Sequence, residues 1–142
     1  MEPLFIVGVL VALVAVSTLL GVVVRARTGR VRSDGQNVDT ALTDPQAEFT
    51  LLQLSSPVCS ACAAMRRISG QIANADAGVG HREIDVTEHP ELVRDLGVLS
   101  TPTTLIVDRD GRVRSRIIGA AAAATVRETL ADARRTPVGA VA

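Results

Sequence analysis

The chain has two cysteines, Cys59 and Cys62, and both lie in one decapeptide, S-P-V-C-S-A-C-A-A-M, at residues 56–65. Several chemistries are open to such a pair. A structural disulfide here would close a four-residue loop, which removes only about 2 kcal/mol of chain entropy, so a staple would be better placed between distant segments. A metal site would gain two ligands from the pair, whereas tetrahedral zinc usually takes four. The only histidines, His81 and His89, have seven residues between them, outside the usual three to five. Haem attachment needs histidine where Ala63 stands. Two inert buried thiols are a further reading.

Thiol–disulfide exchange uses all the local features. Pro57 breaks the preceding apolar run and turns the chain. Cys59 then falls at the first turn of a helical pattern, where free N–H groups and the helix dipole favour a thiolate. An exposed thiolate there attacks a partner's disulfide. Cys62, one turn on, is in reach to resolve the mixed disulfide. Ala61, Ala63 and Ala64 leave access to the sulfurs.

The elements that must position this pair can be read on either side of it. Phe49–Leu54 (F-T-L-L-Q-L) suits a buried strand, and Cys59–Asn74 has helical spacing through Cys62, Met65, Ile68 and Ile72. His81–Val86 is a second strand. Glu91–Leu96 is a short helix with Pro90 in its first turn and Gly97 at its end. Thr103–Val107 is a β-branched strand, Asp108-Arg109-Asp110-Gly111 a hairpin turn, Arg112–Ile118 an alternating strand, and Ala120–Arg135 an Ala-rich helix. This order predicts an α/β sheet with helices on both faces, parallel strands first and a hairpin at one edge.

Ahead of this unit, Pro3–Val24 runs 22 residues without an ionisable side chain. At about 1.5 Å per residue that spans a hydrocarbon core of about 30 Å. The run is too long for a signal peptide, starts Met-Glu-Pro, and has no small-residue cleavage site. A membrane anchor over 1–24 is expected, then a polar flexible linker over 25–45, a folded domain over 46–136 and a short tail over 137–142. Arg25, Arg27, Arg30 and Arg32 follow the span, which places the domain on the cytoplasmic side by the positive-inside rule; the opposite face stays open.

Composition narrows the functions. The 15 basic residues, all Arg, balance 15 acidic ones, so no global charge points to nucleic acid. Phe5 and Phe49 are the only aromatics, too few for a base-stacking platform.

Over about residues 47–135 the sequence resembles the thioredoxin family. The resemblance is carried by F-T-L-L-Q-L-S-S-P-V-C-S-A-C, by R-E-I-D-V, and by G-V-L-S-T-P-T-T-L-I-V-D-R-D-G with Ser100-Thr101-Pro102-Thr103 about 40 residues past the cysteines. It implies a minimal thioredoxin-like fold, a central mixed sheet flanked by helices. It also implies a cis bond before Pro102, cheap only for proline, with the Thr101 backbone pairing with an incoming chain. Cys59 and Cys62 would be the catalytic pair and their disulfide the redox centre, with no other cofactor and no metal. Pro57, Val58, Ser60, Ala61, Thr101 and Pro102 would line the substrate site. Partners would be protein thiols or disulfides and a redox-recharging protein, with no nucleic acid. The chain departs from the family's familiar members at three places. Val58 stands for Trp, Gln53 for a buried Asp that helps move protons, and Ser60-Ala61 for Gly-Pro. An amide cannot accept a proton at neutral pH, so slower exchange, or reliance on water or a partner's base, is expected. The family's first strand and helix are expected to be missing.

Elsewhere, Arg112, Arg114 and Arg116 read as the solvated face of an edge strand rather than a lipid contact. Asp85 reads as a strand-end carboxylate, His81 as a surface residue, and Glu88 and Glu91 as the surroundings of a helix start. The expected function is membrane-anchored thiol–disulfide exchange. The alternative is a non-catalytic binding module of the same fold, or a thiol site for copper handling.

Overall fold

A computed structural model describes residues 2–27 and 29–136; the tail at 137–142 lies outside the described residues. Its elements are helix α1 (Glu2–Arg27), strand β1 (Arg30–Ser33), a 3-10 turn at Thr40–Leu42, β2 (Phe49–Ser55), α2 (Ser60–Ala75), β3 (Val79–Asp85), α3 (Pro90–Asp95), β4 (Thr103–Asp108), β5 (Val113–Ile118) and α4 (Ala123–Arg135). Five strands form one mixed sheet in the order β1-β5-β4-β2-β3. β2 and β3 are parallel, and the other neighbours are antiparallel.

The sheet is covered on both sides, which is why every residue of β2 is buried. Phe49, Leu51 and Ile106 point to the face carrying α2 and α4, where Met65, Ile72, Val126 and Leu130 meet them. Leu52, Leu54, Leu105 and Val107 point to the other face, against Leu96 and Val98 and partly buried Leu92 and Val93 of α3. The alternation along β2 thus serves two aliphatic cores, in keeping with the period-2 geometry of a strand.

Two expectations need correction. Much of the stretch read as a flexible linker belongs to the folded unit: β1 pairs with β5 from Arg30↔Ile118 to Ser33↔Ser115. Val38 is buried, its N–H donating to Gly111 O at 2.8 Å. The second correction, for Arg114 and Arg116 but not for exposed Arg112, follows because β5 is not an edge strand. Arg116 donates to Asp34 Oδ2 at 2.7 Å, and Arg114 lies 3.5 Å from Asp108 Oδ2. Their side chains are only 11% and 14% exposed, so they are paired rather than solvated. Beyond β3, on the other edge, no further strand is present among the described residues.

Helix α1 contains an 18-residue window, Ile6–Val23, long and apolar enough to cross a membrane, and no part of it is buried against the domain. By length and composition it is a candidate membrane span.

Candidate functional site

Ser56 and Pro57 end β2 and start the turn into α2, where Cys59 N–H donates to Ser56 O at 3.2 Å. Cys59 is the N-cap of α2, and its Sγ accepts from the Cys62 N–H at 3.1 Å. One of the four orphan donors of the helix start is therefore aimed at sulfur, which favours negative charge there. The two cysteines are joined as a disulfide with Cα atoms 5.3 Å apart. They are not equivalent: Cys59 is partly exposed, whereas Cys62 is buried at 1%. One accessible sulfur beside one shielded sulfur is an asymmetry that suits stepwise exchange.

The second motif meets the first. The Thr101–Pro102 bond is cis, and Thr101 Oγ1 lies 3.4 Å from Ser56 Oγ. Pro102 is buried and Thr101 partly exposed. The Gly119 N–H donates to Pro102 O at 2.7 Å, which fixes the loop from the β5 side. Pro57 and Ser60 are exposed, Ala61 is partly exposed, and Val58 is 95% exposed. All eight residues singled out from the sequence thus lie in the two loops joined by the Ser56–Thr101 contact or in the first turn of α2. Among the described residues, no three His, Cys, Asp or Glu side chains gather closely enough to hold a metal ion.

Behind the dithiol is a polar cluster of which sequence reasoning singles out only Gln53 as a buried neighbour of the pair. Gln53 is fully buried on the α2 side of β2. Its Nε2 donates to Ser55 Oγ at 2.8 Å and to Cys62 O at 3.0 Å, and its Oε1 lies 3.3 Å from His81 Nε2. Glu83, opposite Gln53 in the parallel register, accepts from Arg66 of α2, with Nη2 to Oε1 at 2.8 Å. The Arg66 hydrogen bond holds the Glu83 carboxyl below its usual range. Burial lowers the pKa of His81, Glu83 opposing and Arg66 reinforcing the shift. His81 is thus half-buried and bonded into the cluster, not a free surface residue. The available signal was the i, i+2 spacing of His81 and Glu83, which puts both on one face of β3. Glu83 and Arg66 open onto a cleft of about 370 Å³ that reaches Pro57. Asp85 has the expected strand-end role, its Oδ1 accepting from Thr87 N–H at 2.8 Å and Oγ1 at 2.7 Å. Glu88 and Glu91 are exposed around the start of α3.

Comparison with known proteins agrees with this geometry. The model of the thioredoxin-like domain matches residues 36–134, and the chain belongs to that family. Three solved structures share the fold. Chloroplastic thioredoxin z is 24% identical with a TM-score of 0.56, over 64% of this chain and 81% of that one. Mitochondrial thioredoxin 3 of Saccharomyces cerevisiae is 23% identical with a TM-score of 0.54, over 62% and 81%. A thioredoxin of Halobacterium salinarum is 17% identical with a TM-score of 0.60, over 71% and 89%. No curated protein matches the chain by sequence. A thioredoxin-like domain carrying a C-x-x-C pair points to thiol–disulfide redox chemistry.

Proposed function

We propose that the chain is a membrane-anchored thiol–disulfide oxidoreductase acting on protein substrates through Cys59 and Cys62. The observation that supports it most is the disposition of the pair: an accessible Cys59 capping α2, a buried Cys62, and the cis-Pro102 loop held to the same turn through Ser56 and Thr101.

In the reducing direction the Cys59 thiolate attacks one sulfur of the partner's disulfide. A Cys59–partner disulfide forms and the partner's other sulfur leaves as a thiolate. Cys62 then gives up its proton and attacks Cys59 Sγ. The Cys59–Cys62 bond closes and the partner's second thiol departs. Two electrons pass from the dithiol to the partner, and oxidation is the reverse sequence. Pro57, Val58, Ser60, Ala61, Thr101 and Pro102 form the surface on which the partner chain lies. A second redox protein recharges the pair. The test is disulfide exchange by the full chain in vesicles: Cys59→Ser should abolish it, and undiminished exchange in that variant would sink the reading.

The anchor is α1. The arginines after the span favour the cytoplasmic side for the domain by the positive-inside rule. With or without prior reduction of the intact cells by an impermeant reductant, a membrane-impermeant maleimide should therefore reach Cys59 and Cys62 only after cell lysis; labelling of intact cells in either condition would place the domain outside.

A further inference from the structure

Two residues, 28 and 29, separate the end of α1 at Arg27 from the first residue of the sheet, Arg30. Gly29 is already tied down: its N–H donates to Ile118 O at 2.9 Å, and a Cβ added to it would stand 3.4 Å from Ala120 O. Two residues reach about 7 Å at full extension, whereas a 21-residue tether would reach about 70 Å.

The register of the sheet fixes where this short link enters. Arg30 is opposite Ile118, Ile118 is opposite Thr103, and Thr103 is opposite Leu54. These residues form one row across four strands. Pro102 adjoins Thr103, and the turn to Cys59 begins just past Leu54. At about 4.8 Å between strands, Arg30 is about 10 Å from Thr103 and about 14 Å from Leu54. Hydrogen bonds run along the same line, from Gly29 to Ile118 and from Gly119 to Pro102. A cleft of about 390 Å³ beside Leu99 and Ser100 has Arg32, Asp34 and Gln36 as its opposite wall. The chain that leaves α1 is therefore also a wall beside the cis-proline loop. Adding the link, the row and the five residues from Leu54 to Cys59 keeps Cys59 within about 40 Å of the end of α1, whatever the angle between helix and domain. Val58 and Leu99, the domain's most exposed large apolar side chains at 95% and 97%, stand at this same end. Each immediately precedes one of the two site motifs.

We propose that the dithiol works in the water layer beside the lipid headgroups, and that its partner is a second membrane-embedded protein presenting cysteines within about 40 Å of the bilayer surface. This inference rests on the anchoring and exchange proposed above. Val58 and Leu99 supply the apolar contact to that partner. A soluble protein with a deeply set disulfide is a poor fit, because the domain cannot swing out to meet it.

The test uses the reduced full-length chain in phosphatidylcholine vesicles that contain a phosphatidylethanolamine bearing a pyridyl disulfide on its headgroup. The Cys59 thiolate displaces pyridine-2-thione and forms a mixed disulfide with the lipid. Cys62 then displaces the lipid thiol and closes the Cys59–Cys62 bond, both electrons coming from the reduced pair. The comparison is a variant with 20 Gly/Ser residues inserted between Arg27 and Thr28, whose looser tether dilutes the domain away from the surface. The native chain should release thione from the lipid probe at least about threefold faster than the insertion variant, while both react equally with a soluble pyridyl disulfide. Equal rates on the lipid probe would overturn the proposal and leave the exchange reading standing. No reaction with the soluble probe would overturn the exchange reading and the proposal with it, and failure of the chain to float with the vesicles would overturn the anchoring and the proposal with it.

Discussion

Replacing Gln53 with Leu tests whether the buried cluster behind the dithiol is held as described. The side chains are close in size, so the change removes polar contacts with little change of volume. Two short hydrogen bonds are lost, to Ser55 Oγ at 2.8 Å and to Cys62 O at 3.0 Å. Each contributes about 1 kcal/mol net. Stranding adds little, because each former partner keeps another. The Cys62 carbonyl still serves the α2 ladder. Ser55 Oγ still faces the Glu83 carboxyl, whose pKa it helps to lower, and half-buried His81 can turn to water. The expected destabilisation is therefore about 2 kcal/mol, at the low end of the range for disrupted buried polar groups. For a domain of about 100 residues this lowers the melting temperature by about 10 °C. The assay is thermal unfolding of the oxidised full chain in detergent micelles, followed by circular dichroism. There α1 stays helical, so the change in signal reports the domain. A melting temperature unchanged within a degree or two, or raised, would refute the cluster as a structural unit.

Gly111→Ala should destabilise by about 3 kcal/mol, because Gly111 has φ +81° and its new Cβ would stand 2.5 Å from Val38 O. Gly35→Ala, with nothing within 4 Å, is the neutral control; equal melting of the two variants would mean that the 36–38 segment is not docked. His81 gives a pH dependence. Its folded pKa lies below the unfolded value of about 6.5 because it is buried. The unfolded chain thus binds more protons just below that value, and this stability is complete above about pH 6.5 and lost as pH falls through the folded pKa. In urea titrations between about pH 7.5 and 5.5, His81→Leu should show a shallower decline than the native chain, and parallel declines would contradict the burial of the imidazole.

Much of the fold could be read from local signals because its interior elements carry them. β2 is an apolar run broken by Ser-Ser-Pro, α2 repeats apolar residues every three or four positions, and Asp108–Gly111 is a turn by composition. Cys59, Cys62 and Pro102 were visible for the same reason, since their chemistry needs particular residue types at particular spacings. β1 was not visible. Arg-Val-Arg-Ser has one apolar residue and lies on an edge, so its strand character comes from pairing with β5, some 80 residues later. The Arg116–Asp34 ion pair, 82 residues apart, was hidden likewise, and a charged edge strand is indistinguishable from a tether in local composition. His81 and Glu83 looked like ordinary polar residues until α2 and Gln53 were packed over one face of β3.

Attack by Cys59 and resolution by Cys62 can be separated by incubating the reduced full-length Cys62→Ser chain with a peptide disulfide and locating the adduct by mass spectrometry. A stable mixed disulfide on Cys59 is expected, whereas the native chain under the same conditions releases the peptide thiol and closes its own disulfide. No adduct at Cys59 in the variant, with the native chain also leaving the peptide disulfide intact, would contradict these roles.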